Sequence, residues 1–262
     1  MNDRPIGIFD SGVGGTSIWK EIQELLPYED TIYLADSKNA PYGEKSAERI
    51  LQLSVKNTEF LLNAGCKLIV VACNTATTNA IDHLRQQYNV PFIGIEPAIK
   101  PAALNSRAKT VGILATKGTL SSRLFHDTSE MHAKGIRIIE REGSGLVPLI
   151  EQGKITSLEI RELLEEFIRP MVEADIDYLV LGCTHYPYLT PILREMLPEH
   201  VRITDSGAAV AKQTLAVLKK KDLLFPGPQI GTHSFFSNDN PEVLKKLLDS
   251  TDASLHVKRR DF

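Results

Sequence analysis

Apolar positions along the chain follow two rhythms. Short aliphatic runs without alternation, such as Ile6-Gly7-Ile8-Phe9, Ile32-Tyr33-Leu34-Ala35, Val70-Val71-Ala72 and Leu179-Val180-Leu181, read as strands buried on both faces. Between them, apolar residues recur at helical spacing from about Thr16 to Leu26, Ser46 to Ala64 and Ser157 to Ala174. Strand and helix therefore alternate in βα units, which predicts an α/β fold of mainly parallel, doubly wound sheets with helices on both faces.

The units fall into two series. The first runs through the strand ending near Cys73, a helix through Tyr88 and a strand from Pro91 to Ile95. At Glu96-Pro97-Ala98 a second begins: strand Thr110 to Ala115, helix Gly118 to Ala133, strand Ile136 to Ile139, the Ser157 helix, the strand before Cys183, and Arg202 to Asp205. A helix from Ala208 to Lys221 is expected to return to the first series. Gln229 to Ser237 and Pro241 to Asp249 should add an edge strand and a helix to it. Two domains are expected, 1–96 with 208–262 and 97–207. Asp205-Ser206-Gly207 echoes Asp10-Ser11-Gly12, which suggests a pseudosymmetric pair.

Charge and cysteine usage narrow the function. The 262 residues carry 30 Lys and Arg against 33 Asp and Glu, a net charge of -3. Lys219-Lys220-Lys221 reads as a solvated helix end, so no nucleic-acid partner is expected. No run approaches a membrane span and the first residues lack a signal-peptide pattern, so a cytoplasmic protein is expected. Three cysteines make no disulfide framework, and no CxxC or His-rich spacing suggests zinc.

The chemistry concentrates at strand ends. Cys73-Asn74-Thr75 and Cys183-Thr184-His185 each stop an apolar run with a thiol followed by small polar residues. That places both at the carboxyl end of a strand and the start of a helix, where open α/β sheets bind ligands and where thiol pKa values are lowered. Cys66, at the end of an amphipathic helix without a polar cluster, reads as structural. Ser11-Gly12-Val13-Gly14-Gly15 lacks the third glycine of a dinucleotide fingerprint and the Gly-Lys-Ser/Thr of a P-loop, so NAD and ATP are poorly supported. A nest of N–H groups suited to a small carboxylate, or a tight strand-to-helix turn, remains. Glu151, read alone, is an exposed helix residue.

Two thiols facing one cleft suit inversion of a carbon acid, because one face must lose a proton while the other gains one. His185 is the natural tuner of Cys183, and Asp10 a candidate partner for Cys73. A hydrolase using Cys183 with His185, leaving Cys73 idle, is the competing reading.

Taken together, Asp10-Ser11-Gly12-Val13-Gly14-Gly15, Pro41-Tyr42-Gly43, Cys73-Asn74-Thr75 and Gly182-Cys183-Thr184-His185 closely resemble the glutamate racemases, over nearly the whole chain. The resemblance implies two pseudosymmetric domains with the site between them, D-glutamate supplied for peptidoglycan, and neither PLP nor metal. It implies that Cys73 abstracts the α-proton of D-glutamate and Cys183 that of L-glutamate, assisted by Asp10 and His185, with Glu151 near the second thiol. It further implies that Ser11, Pro41, Tyr42, Gly43, Asn74, Thr75, Thr116, Thr119 and Thr184 hold the substrate. Within the resemblance a racemase for another acidic amino acid such as aspartate is the alternative, and oligomer contacts stay open, a homodimer among the possibilities.

Overall fold

The computed structural model describes residues 2–248 and 254–262. The first series forms β1 (Ile6–Asp10), α1 (Thr16–Leu25), β2 (Thr31–Ala35), α2 (Ala47–Asn63), β3 (Leu68–Val71), α3 (Asn74–Gln87) and β4 (Phe92–Gly94). The second forms α4 (Ile99–Asn105), β5 (Thr110–Ala115), α5 (Lys117–Leu120), α6 (Arg123–His132), β6 (Arg137–Glu142), α7 (Leu146–Glu151), α8 (Leu158–Glu173), β7 (Tyr178–Gly182), α9 (Thr190–Met196) and β8 (Arg202–Thr204). The chain then adds α10 (Gly207–Lys220), β9 (His233–Ser237), α11 (Glu242–Leu248) and β10 (Leu255–Arg259).

These strands make two sheets, ordered β10-β9-β2-β1-β3-β4 and β6-β5-β7-β8, with every neighbouring pair parallel. Central strands are buried on both faces, as their unbroken aliphatic runs require: Ile6, Ile8, Phe9, Leu68, Val70, Ile113, Leu179 and Val180 have no exposed surface. Each such side chain contributes about 1.5–3 kcal/mol of hydrophobic stabilisation. One apolar cluster continues from Ile18, Trp19 and Ile22 of α1 through Val210 of α10 to Leu146, Tyr186 and Leu189, so the two sheets share a core.

Three expectations change, and three elements come as additions. The helix expected over 118–133 is broken at Ser121-Ser122, because the Ser122 hydroxyl accepts the Phe125 N–H and starts α6 afresh. The strand read from Gln229 to Ser237 is not an edge: β9 pairs with β2 on one side and β10 on the other. The short helices α4 and α9 and the strand β10 lay outside the reading, and Asp249, its expected end for α11, lies outside the described residues. Glu151, read as exposed, closes α7 with only 13% of its side chain accessible.

Candidate functional site

The carboxyl ends of β1, β3, β5 and β7, the central strands of the two sheets, carry the candidate groups: Asp10, Cys73, Thr116 and Cys183 stand at or just beyond them. A closed cleft is lined by Ser11, Pro41, Tyr42, Gly43, Cys73, Asn74, Thr75, Thr116, Val147, Gly182, Cys183, Thr184 and His185. Both thiols reach it. Cys66 is buried elsewhere, against Gly7, where burial pushes its thiol up to about 12.

Around Cys183 the geometry forms a relay. His185 Nδ1 lies 3.7 Å from the Cys183 sulfur, and His185 Nε2 lies 2.5 Å from Glu151 Oε1. A carboxylate oxygen has no proton to give, so Nε2–H donates to Glu151 and Nδ1 is left to exchange a proton with the thiol. Burial alone lowers the basicity of His185, but the hydrogen bonds and charges of Cys183 and Glu151 overcome it and raise the pKa well above the usual imidazole value.

Cys73 stands differently. It caps α3, its sulfur accepting the Ala76 N–H at 3.4 Å, and Ser11 adds a hydrogen bond. A helix start was expected to lower this thiol's pKa; instead burial, reinforced by the nearby Asp10 charge, raises it strongly. Cys73 is thus held as a protonated thiol in this closed site.

Asp10 is buried behind the cleft rather than lining it. Its carboxylate accepts the Gly15 N–H at 2.8 Å and the Thr184 hydroxyl at 3.4 Å, and burial raises its pKa against the pull of His185 and Gly15. Glu151 likewise stays outside the lining and accepts the Val13 N–H at 2.6 Å. The glycine-rich turn is therefore no empty nest: its N–H groups at Val13 and Gly15 are taken by the protein's own carboxylates. Its glycines allow this approach, since a Cβ on Gly12 would sit 1.9 Å from Glu151 Oε1 and one on Gly14 2.3 Å from His185 Nδ1.

The opposite wall comes from three hydroxyls and a turn. Thr75 Oγ1 and Thr116 Oγ1 lie 3.1 Å apart, and Thr119 Oγ1 lies 3.1 Å from Thr116, so Thr119 supports the wall from a buried position without lining it. The 3-10 turn Tyr42–Glu44 packs against α5, with a Cβ on Gly118 falling 3.1 Å from Gly43 Cα. The Tyr42 hydroxyl points away from a ligand's reach, donating to Asp36 at 2.5 Å. The Asn74 side-chain N–H group is buried without a protein partner. Val147 and Gly182 also line the cleft; nothing in the residue type of Val147 signalled it, because an apolar wall looks like core, and Gly182 was named only as part of the Cys183 motif.

Comparison with known proteins places the chain in one family. The family described as Asp/Glu/Hydantoin racemase matches residues 6–214. A glutamate racemase of Pseudomonas entomophila is 47% identical over 95% of this chain and 94% of its own. The crystal structure of a Bacillus anthracis glutamate racemase isoform superposes with a TM-score of 0.89 at 27% identity, covering 100% of this chain and 99% of that one. The Escherichia coli glutamate racemase, solved with L-glutamate and the activator UDP-MurNAc-Ala, gives 0.84 at 34% identity over 98% of each chain. The chain belongs to the Asp/Glu/hydantoin racemase family and, within it, to the glutamate racemases.

Proposed function

We propose that Cys73 and Cys183 are the two bases by which this racemase interconverts L- and D-glutamate. The observation that carries the reading is that both thiols line one small cleft, each backed by a different buried acid system. Cys183, relieved of its proton by His185, removes the α-proton of L-glutamate from one face. The Cys73 thiol delivers a proton to the other face, and the reverse reaction exchanges the roles. Asp10 and Glu151 act from behind, Asp10 on the Cys73 side and Glu151 through His185. A hydrolase reading would leave Cys73 without a task in a cleft it helps to form.

Ser11, the Tyr42-Gly43 turn, Asn74, Thr75, Thr116 and Thr184 hold the substrate's polar groups, and the described lining contains no Lys or Arg to do so. The unpartnered Asn74 amide supports this, since a buried donor costs about 1–3 kcal/mol unless a ligand satisfies it. The proposed residue division, 1–96 with 208–262 and 97–207 as a pair of units closing on the substrate, is supported by the strand membership of the two sheets. The reading extends to a cytoplasmic role supplying D-glutamate for peptidoglycan and to a homodimer, which light scattering on the purified chain checks. Glutamate is preferred over aspartate, by the likeness to glutamate racemases.

Turnover of L-glutamate in heavy water tests the mechanism. D-glutamate should carry solvent deuterium while recovered L-glutamate gains it more slowly; equal labelling of both would mean one shared base. Serine in place of either cysteine raises that group's pKa by several units, and at about 1.4 kcal/mol per unit costs several orders of magnitude in both directions. Cys183→Ser should retain some α-proton abstraction from D-glutamate and Cys73→Ser some from L-glutamate. Full racemisation by either variant would end the two-base account.

A further inference from the structure

Behind the Tyr42-Gly43 wall lies a carboxylate that the chemistry above leaves without a task. Asp36 follows β2, is fully buried, and sits outside the cleft lining. Its Oδ2 accepts the Tyr42 hydroxyl at 2.5 Å, and its Oδ1 accepts the Asn39 side-chain N–H at 2.8 Å and that of Asn238. The Lys56 ammonium stands 3.8 Å from Oδ1.

These donors come from separate parts of the fold. Tyr42 belongs to the turn that lines the cleft, Asn39 to the 3-10 turn Ser37–Asn39, Lys56 to α2, and Asn238 to the residue after β9. Asn57 of α2 donates to the Tyr42 hydroxyl at 3.1 Å, and Asn238 Oδ1 accepts the Lys38 N–H at 3.0 Å. Backbone bonds add to this, the Asp36 N–H donating to Asp10 O at 3.1 Å. One buried charge thus gathers several donors, and the only one whose residue touches the cleft is Tyr42.

A structural carboxylate in this position would need only to be neutralised. Here the Tyr42 ring is oriented by its hydroxyl, and Gly43 is fixed next to it, where a Cβ would meet Thr116 at 3.1 Å. We propose that Asp36 is a positioning residue for the reaction: it holds the Tyr42-Gly43 wall at the distance from the Thr75–Thr116 wall that suits an amino-acid carboxylate. The proposal rests on the cleft binding glutamate. Asp36 reaches the substrate through Tyr42 and moves no proton.

Replacement by asparagine keeps the shape and removes the charge. A single amide oxygen cannot accept from the Tyr42 hydroxyl and from the two asparagine amides together, so the wall loses one of its ties. Because the turn holds substrate rather than exchanging its proton, the loss belongs mainly in KM. Asp36→Asn should raise KM for both enantiomers by about tenfold or more with kcat within roughly threefold of the wild type, at a thermal midpoint that shows a folded protein. Tyr42→Phe removes the same tie while leaving Asp36 its amide partners, and should reproduce the KM increase. It decides the matter if Asp36→Asn does not fold. An unchanged KM in folded variants, or a fall in kcat alone, overturns the inference. A wild-type protein that does not racemise glutamate overturns the reading of the cleft instead.

Discussion

Asp10 shows how residue type and burial together decide a role. The sequence placed it at a strand end and suggested a partner for Cys73; its bond to Gly15 closes the turn after β1, and its bond to Thr184 could be seen only once the second sheet was in place. Its pKa is raised, so the folded state binds a proton more tightly than the unfolded chain does. Stability from that preference is full below the ordinary aspartate value of about 3.9, falls as pH rises through the folded value, and above it the buried charge is a net cost. Asp10→Asn should therefore raise the thermal midpoint at neutral pH while lowering racemisation, with the gain in stability vanishing in acid. A midpoint lowered at neutral pH would show that the Gly15 bond outweighs the buried charge. The two cysteines were legible because both end apolar runs in the same polar grammar. The direction of the Cys73 shift was not, since a helix start is visible in sequence and the depth of burial opposing it is not.

Among the elements, legibility followed burial pattern and length. Interior strands and the long amphipathic helices α2 and α8 were readable because their apolar positions repeat without interruption, and serines at 46 and 157 mark their starts. The helix α4, seven residues with Pro101 near its start, offers too short a period to register. The strand β10 hides for another reason. Leu255 and Val257 alternate with exposed His256, Lys258 and Arg259, so it resembles a polar tail, and those same charges suit an edge strand that must not pair further. Its attachment is visible: the Arg260 guanidinium lies over Phe60 at 4.8 Å and Phe236 at 5.2 Å, and Phe262 packs against Phe60 at 5.5 Å. Deleting residues 255–262 should leave β9 as an uncovered edge, lowering the thermal midpoint by several degrees and promoting aggregation. A thermal scan with light scattering checks this; an unchanged midpoint would mean that β10 contributes nothing to the sheet.

Across the whole molecule, the cleft is closed by bonds that join the turn and helix after β1 to α7 and to the segment after β7. Glu151 accepts the Val13 N–H at 2.6 Å, Ser17 donates to Thr184 O at 2.9 Å, and Thr16 Oγ1 lies 2.5 Å from the Tyr188 hydroxyl. With this seam shut the thiols are almost fully buried, Cys73 at 5% and Cys183 at 7% exposure, so a ligand reaches them through the seam only when it parts. Tyr188 is the member most remote from proton transfer, absent from the cleft lining and partnered by Thr16. Removing its hydroxyl weakens closure without touching a thiol, and one such bond contributes about 0.5–1.5 kcal/mol, which shifts an opening equilibrium roughly twofold to tenfold. The Val13 N–H reports opening directly, because its bond to Glu151 protects it from exchange only while the seam is closed. Amide hydrogen exchange over residues 11–26 should therefore be slowed by glutamate in the wild type and accelerated in unliganded Tyr188→Phe, with the glutamate effect retained. Equal exchange in wild type and variant, with and without glutamate, would show that Val13 opens independently of the cleft and that entry uses another route, such as the adjoining cavity between Pro41-Gly43-Glu44 and Glu142-Pro148.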